Sequence, residues 1–109
     1  MDNIDIDELK QRLEQFSAKR GWLSVDSPKN LSMAIATEAG ELLDIFQWLT
    51  EEQSYGLDPE QRQQVADEMA DVLTNIIRMA GVLDINLSQA LSEKLDKNAK
   101  KYPLSVKQP

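Results

Sequence analysis

The chain has 109 residues, a net charge of -7, and neither cysteine nor histidine. That excludes disulfides, thiol catalysis, zinc–thiolate and iron–sulfur sites and the commonest general base, so any metal must be held by oxygen, as magnesium, manganese and calcium are. A chain this acidic repels nucleic-acid polymers and anionic membranes, and a phosphate compound needs a bridging cation to approach it. Its length and composition fit a single domain over residues 1–109, with a flexible tail expected after about residue 103. No basic segment followed by an apolar run opens the sequence. No apolar stretch nears the ~20 residues of a membrane span, and the expected compartment is the cytoplasm.

Gly and Pro divide the sequence into four predicted helices. The first runs from about Ile6 to Arg20, with Ile6, Leu9, Leu13 and Phe16 on one apolar stripe and Gly21 at its C-terminal cap. Trp22 to Lys29, with Ser27-Pro28, reads as a loop. The second helix runs from about Asn30, its expected cap, to Glu51, and places Leu31, Ala34, Ile35, Leu42, Ile45 and Leu49 on one face. Gln53 to Pro59 reads as a polar loop. The third helix starts near Asp58 with Pro59 at its first position and continues to about Leu83 along Val65, Met69, Val72, Ile76, Met79 and Leu83. The fourth spans about Leu87 to Lys101, with Asn86 or Ser88 near its cap and Tyr102-Pro103 at its end. The expected architecture is all-α, a four-helix bundle-like subunit. The stripes on the two long helices are too wide for one short chain, so a homo-oligomer is expected, formed as those helices pack against copies of themselves.

The chemistry is carried by acids inside these stripes. Glu38 and Glu41, and again Glu68 and Asp71, are three residues apart, which puts each pair on nearly one helical face. Glu38 takes a slot in the series Leu31, Ile35, Leu42, and Glu68 lies in register with Val65 and Val72. A single Glu-x-x-Glu is usually a solvated face. Two pairs on consecutive helices, both interrupting apolar stripes, point instead to a divalent cation, since carboxylates withdrawn from water repel one another unless a counter-charge joins them. Hard oxygen ligands suit magnesium or manganese. Weaker candidates are Trp48, one turn beyond Asp44, for stacking on a base, Trp22 and Lys29 as walls of a pocket, Lys94, Asn98 and Lys101 along one face of the last helix for phosphate, and Asn75, four after Asp71.

The segments Glu38-Ala39-Gly40-Glu41-Leu42, Phe46-Gln47-Trp48 and Asp67-Glu68-Met69-Ala70-Asp71-Val72-Leu73 resemble the paired acidic motifs of the MazG-like all-alpha nucleotide pyrophosphohydrolases. The likeness is greatest to their single-domain branch, which includes the dCTP pyrophosphatases. Phe16 to Trp22, Pro28 to Leu31 and the tail Lys94 to Pro103 share it. The resemblance implies hydrolysis of a (deoxy)nucleoside triphosphate, dCTP or a modified dNTP, to the monophosphate and pyrophosphate, as in nucleotide house-cleaning. It implies Mg2+, or Mn2+, held by Glu38, Glu41, Glu68 and Asp71, with Lys94, Asn98 and Tyr102 near phosphates and sugar, and Trp22 and Trp48 bordering the base. It also implies a dimer or tetramer in which more than one subunit shapes a site. The sequence departs from the family at two positions near the nucleoside: Asp26 stands where relatives have histidine, and Asn75 where they have tyrosine. Glu41 is the expected general base, a role left to a carboxylate where histidine is absent. The competing class is a non-enzymatic helical dimerisation or adaptor module, which has no reason to place acids in its apolar stripes.

Overall fold

The computed structural model describes residues 3–104. The tail expected to be flexible falls, from residue 105 onward, outside the described residues. Asp5 caps the first helix: its carboxylate accepts from the backbone N–H groups of Asp7 at 2.8 Å and Glu8 at 3.2 Å, and α1 runs Ile6–Lys19. It ends in a reversal at Gly21, whose φ of +68° a glycine adopts without strain. There the N–H of Trp22 donates to Ser17 O at 2.9 Å and that of Gly21 to Ala18 O at 3.2 Å.

The second helix, α2, spans Pro28–Phe46, two residues earlier at its start than expected and several shorter at its end. Ser27 rather than Asn30 is the cap: its hydroxyl accepts from the Asn30 N–H at 3.1 Å, and Pro28 sits at the first helical position, where its missing N–H costs nothing. The early end has a local cause. Thr50 and Gln53 form a reciprocal capping box, each side chain accepting from the other's backbone N–H (3.1 and 2.9 Å), and this starts a separate short helix, α3, Glu51–Tyr55. The loop read from Gln53 to Pro59 is therefore helical in its first part.

α4, Pro59–Val82, opens as expected at Asp58, which forms the same kind of box with Gln61. It closes with Asp84 in the left-handed region at φ 53°. Asn86 caps α5, Leu87–Lys101, by accepting from the Gln89 N–H at 3.0 Å.

α2 and α1 both pack against α4, while α5 makes only marginal contact with the other helices. The expected four-helix bundle is therefore not completed within one chain, although the described residues are all-helical with no strand. α1 comes close to α4 at Gly81, where an added Cβ would stand 3.0 Å from Glu14 Oε1 and 3.4 Å from Lys10 Cγ. The interior is small. Among the described residues Leu31, Ile77 and Ala80 are the buried apolar ones and Ser17 is the buried polar one. Full burial of a Leu or Ile contributes about 1.5–3 kcal/mol, a modest return against the entropy of ordering a chain this long.

The radius of gyration is 17.3 Å, whereas a compact chain of this length has about 13 Å. Met69 and Leu73 stay more than half exposed on α4, Leu43 does so on α2, and Leu42, Met69, Val72, Leu73 and Ile76 border an open apolar groove. No helix among the described residues is long and apolar enough to cross a membrane.

Candidate active site

Because α2 and α4 lie side by side, the mid-length acids of the two helices meet. Glu38, Glu41 and Glu68 each bring one carboxylate oxygen within 4.8 Å of the others. Glu41 is exposed, while Glu38 and Glu68 are half-buried. Oε2 of Glu38 and Oε2 of Glu68 are shielded from solvent with no hydrogen-bond partner. The Glu38 carboxyl beside it, partial burial and the charge of Glu41 together push the Glu68 carboxyl up to about 7. Like charges are thus crowded where water cannot fully screen them, and a divalent cation would relieve that strain.

Asp71, expected as the fourth acid, is exposed and lies outside this trio. Glu38 and Glu41 have that same three-residue spacing and both join the trio, so what sets Asp71 aside is its place on α4 relative to the α2 acids rather than the spacing itself. Asp71 reaches the adjoining cavity instead, together with Glu38. That cavity has a volume of about 360 Å3 and runs along α4 past Thr74 and Asn75 to Arg78. Leu13, Phe16 and Trp22 form its opposite wall. Phe16 and Trp22 meet edge to face, with ring centroids 5.6 Å apart and an interplanar angle of 66°. The Gly21 reversal is what swings Trp22 back over the end of α1.

Of the residues expected to contact substrate, Trp22 and Asn75 line this cavity. Lys29, Trp48, Lys94, Asn98 and Tyr102 do not line the cavity of a single chain. Trp48 is 87% exposed beyond the end of α2, and Tyr102 is also exposed at the end of α5.

Arg78 escaped the sequence reading. It is paired with Asp26 of the loop after α1 and donates from Nη1 to Asn75 Oδ1 at 3.0 Å. The signal was present: a charged residue between the buried Ile77 and Ala80 interrupts an apolar stripe just as the acids do. Its partner lies 52 residues away in sequence and cannot be read from spacing.

Comparison with known proteins places this geometry in context. The chain is 31% identical to mouse dCTP pyrophosphatase 1 over 93% of its own length and 61% of that protein. It is likewise 31% identical to the human protein of that name, over 90% of this chain and 59% of the relative. It thus spans about three fifths of the length of these relatives. Its fold matches the crystal structure of a pyrophosphatase from Archaeoglobus fulgidus with a TM-score of 0.85 and 35% identity, covering 95% of this chain and 97% of the other. The sequence model of the MazG-like family matches residues 33–108, which hold all three gathered acids as well as Asp71, Asn75 and Arg78. By that match, which takes in more than half of its length, the chain belongs to the MazG-like family.

Proposed function

We propose that this protein hydrolyses nucleoside triphosphates to the monophosphate and pyrophosphate, with Mg2+ as its cofactor. The observation that carries the reading is the meeting of Glu38, Glu41 and Glu68 beside a cavity with aromatic walls. Names borne by similar proteins, dCTP pyrophosphatase and pyrophosphatase, support the reaction class. The donor set fits the cation: hard oxygens from facing helices, two of them shielded and without a partner. Glu38, Glu68 and Glu41 would hold it, with Asp71 at the cavity edge as the fourth ligand; Mn2+ fits the same oxygens.

When bound, the cation offsets the charge of the triphosphate and makes water easier to deprotonate. The residues of the chain do the rest. Glu38 and Glu68 fix the site from opposite helices. Glu41, the exposed member of the trio, accepts the proton of the attacking water. Trp22 and Phe16 give the base an apolar surface on which to lie, and Asn75 meets it on the other side. A deoxycytidine or modified deoxynucleotide is the substrate we infer from the relatives' names.

The half-exposed faces of α2 and α4 and the extended outline support a homo-oligomer, dimer or tetramer. In it a second copy covers the apolar groove and brings Lys94, Asn98 and Tyr102 of its α5, and Trp48, toward the phosphates and base. The test is pyrophosphate release from a panel of canonical and modified triphosphates, alongside calorimetric titration of Mg2+ with and without a non-hydrolysable dNTP. Glu41→Gln should abolish turnover while the helical circular dichroism stays intact. Unchanged turnover in that variant removes the assignment of Glu41, and absence of cation binding removes the reading, leaving a helical interaction module.

A further inference from the structure

Among the residues lining the cavity, Arg78 is the one cation, and its surroundings are built rather than incidental. Its side chain is 17% exposed and that of Asp26, its ion-pair partner, 14%. A guanidinium this withdrawn from water needs a partner, and the pair ties the loop after α1 to α4. The guanidinium carbon also lies 5.5 Å from the centre of the Trp22 ring.

The bond to Asn75 has a chemical consequence. Arginine offers donors only, so the Asn75 atom that meets it must be the carbonyl oxygen. The amide orientation is thereby fixed, and its N–H groups have no hydrogen-bond partner among the described residues. Asn75 lies one turn and Arg78 two turns from Asp71 on the same face of α4, about 6 and 10 Å along the axis. The cavity thus grades from anionic oxygens at one end to an aromatic wall with free amide donors at the other.

We propose that Asp26, Arg78 and Asn75 form a specificity relay in which Asp26 anchors Arg78, Arg78 orients the Asn75 amide, and its N–H groups recognise a carbonyl oxygen of the nucleobase. The proposal rests on the nucleotide reading above. Asn75 touches the base, whereas Arg78 and Asp26 are positioning residues. The class selected is a base bearing a ring carbonyl, as cytosine, thymine, uracil and guanine do, over adenine, which has none.

The experiment compares kcat/KM for dCTP, dTTP, dGTP and dATP with Mg2+, and in parallel the quenching of tryptophan fluorescence by the four monophosphates without metal. The wild type should favour the carbonyl bases by at least about tenfold, since a site built to donate discriminates against a base with nothing to accept. Asn75→Asp keeps the size and the contact with Arg78 but removes the donors. It should erase the preference by raising KM for dCTP, dTTP and dGTP far more than for dATP. Arg78→Ala should do the same and Arg78→Lys should restore part of the preference, with melting curves confirming the fold; where Arg78→Ala fails to fold, Asn75→Asp decides. An equal fall on all four triphosphates in Asn75→Asp, or a wild type indifferent to the base, overturns the relay. If triphosphates are cleaved without base preference, the relay fails and the hydrolase reading stands. If none is cleaved but the monophosphates bind in the expected order, the hydrolase reading fails and the relay stands. Absence of both binding and cleavage overturns both.

Discussion

Beside one end of the cavity, which Glu38 enters, Glu38, Glu41 and Glu68 crowd like charges together, and two of their oxygens meet no donor. At the other end, nearly three turns beyond Glu68 along α4, the charge of Arg78 is matched by Asp26 and its Nη1 by Asn75 within the same chain, although its Nε meets no acceptor. The two regions share a helix and similar partial burial, yet one is balanced internally and the other is not. Removing one partner of a balanced pair leaves the other charge buried alone, at a cost to the fold. An unbalanced cluster is a standing expense to the fold and makes sense where something from outside completes it. Substitutions at the two ends should therefore have opposite signatures.

The largest expected effect is at the acid end. Glu68→Gln removes a ligand oxygen's charge and should lower pyrophosphate release by roughly a hundredfold or more. The same substitution relieves repulsion, so the metal-free variant should melt at or above the wild-type temperature at pH 8. A metal-free variant that melts well below wild type would show that Glu68 serves the fold, and the contrast between the two ends would collapse.

The next effect belongs to the other end. Asp26→Asn leaves a largely buried guanidinium without its counter-charge and should cost about 1–3 kcal/mol in urea unfolding. Its calorimetric Mg2+ affinity should stay close to that of the wild type. A loss of cation binding in this variant would mean that the ends are coupled rather than independent.

The smallest effect is a pH dependence confined to the metal-free protein. The Glu68 carboxyl titrates near 7 in the folded chain against 4.5 as its ordinary value. Between those values the folded state holds the extra proton, so stability is fully present below about 4.5 and falls as pH rises through about 7. The melting temperature without metal should drop by a few degrees across that window, and Mg2+ should restore it at pH 8. A melting temperature that climbs through the same window would sharpen the comparison the other way, by placing the dominant titration elsewhere.

What the sequence disclosed divides along similar lines. The acid trio was visible because helical periodicity is local: an acid in an apolar slot shows itself within a few residues. The starts of α4 and α5 were visible because Asp58-Pro59 and Asn86 are local signals too. The break between α2 and α3 was equally local, in the Thr50 to Gln53 box, but the apolar run through Leu49 outweighed it in the reading. The displacement of Asp71 from the trio depends on how closely α2 and α4 approach, which no spacing along one helix supplies. The pairing of Asp26 with Arg78 joins a loop to a helix across 52 positions and needs the fold itself. Lys94, Asn98 and Tyr102 stand on a helix that touches little of its own chain, so any part they play depends on contacts that one chain does not contain.

The approach of α1 to α4 at Gly81 has a reach of its own. Trp22 hangs from the far end of α1, beyond the Gly21 reversal, so any shift of α1 is shared by the indole. A methyl at position 81 meets Glu14 Oε1 at 3.0 Å and Lys10 Cγ at 3.4 Å, atoms of flexible side chains that can turn aside. A residue too large for them to yield to would press on α1 itself and alter the width of the slot without changing any side chain that lines it.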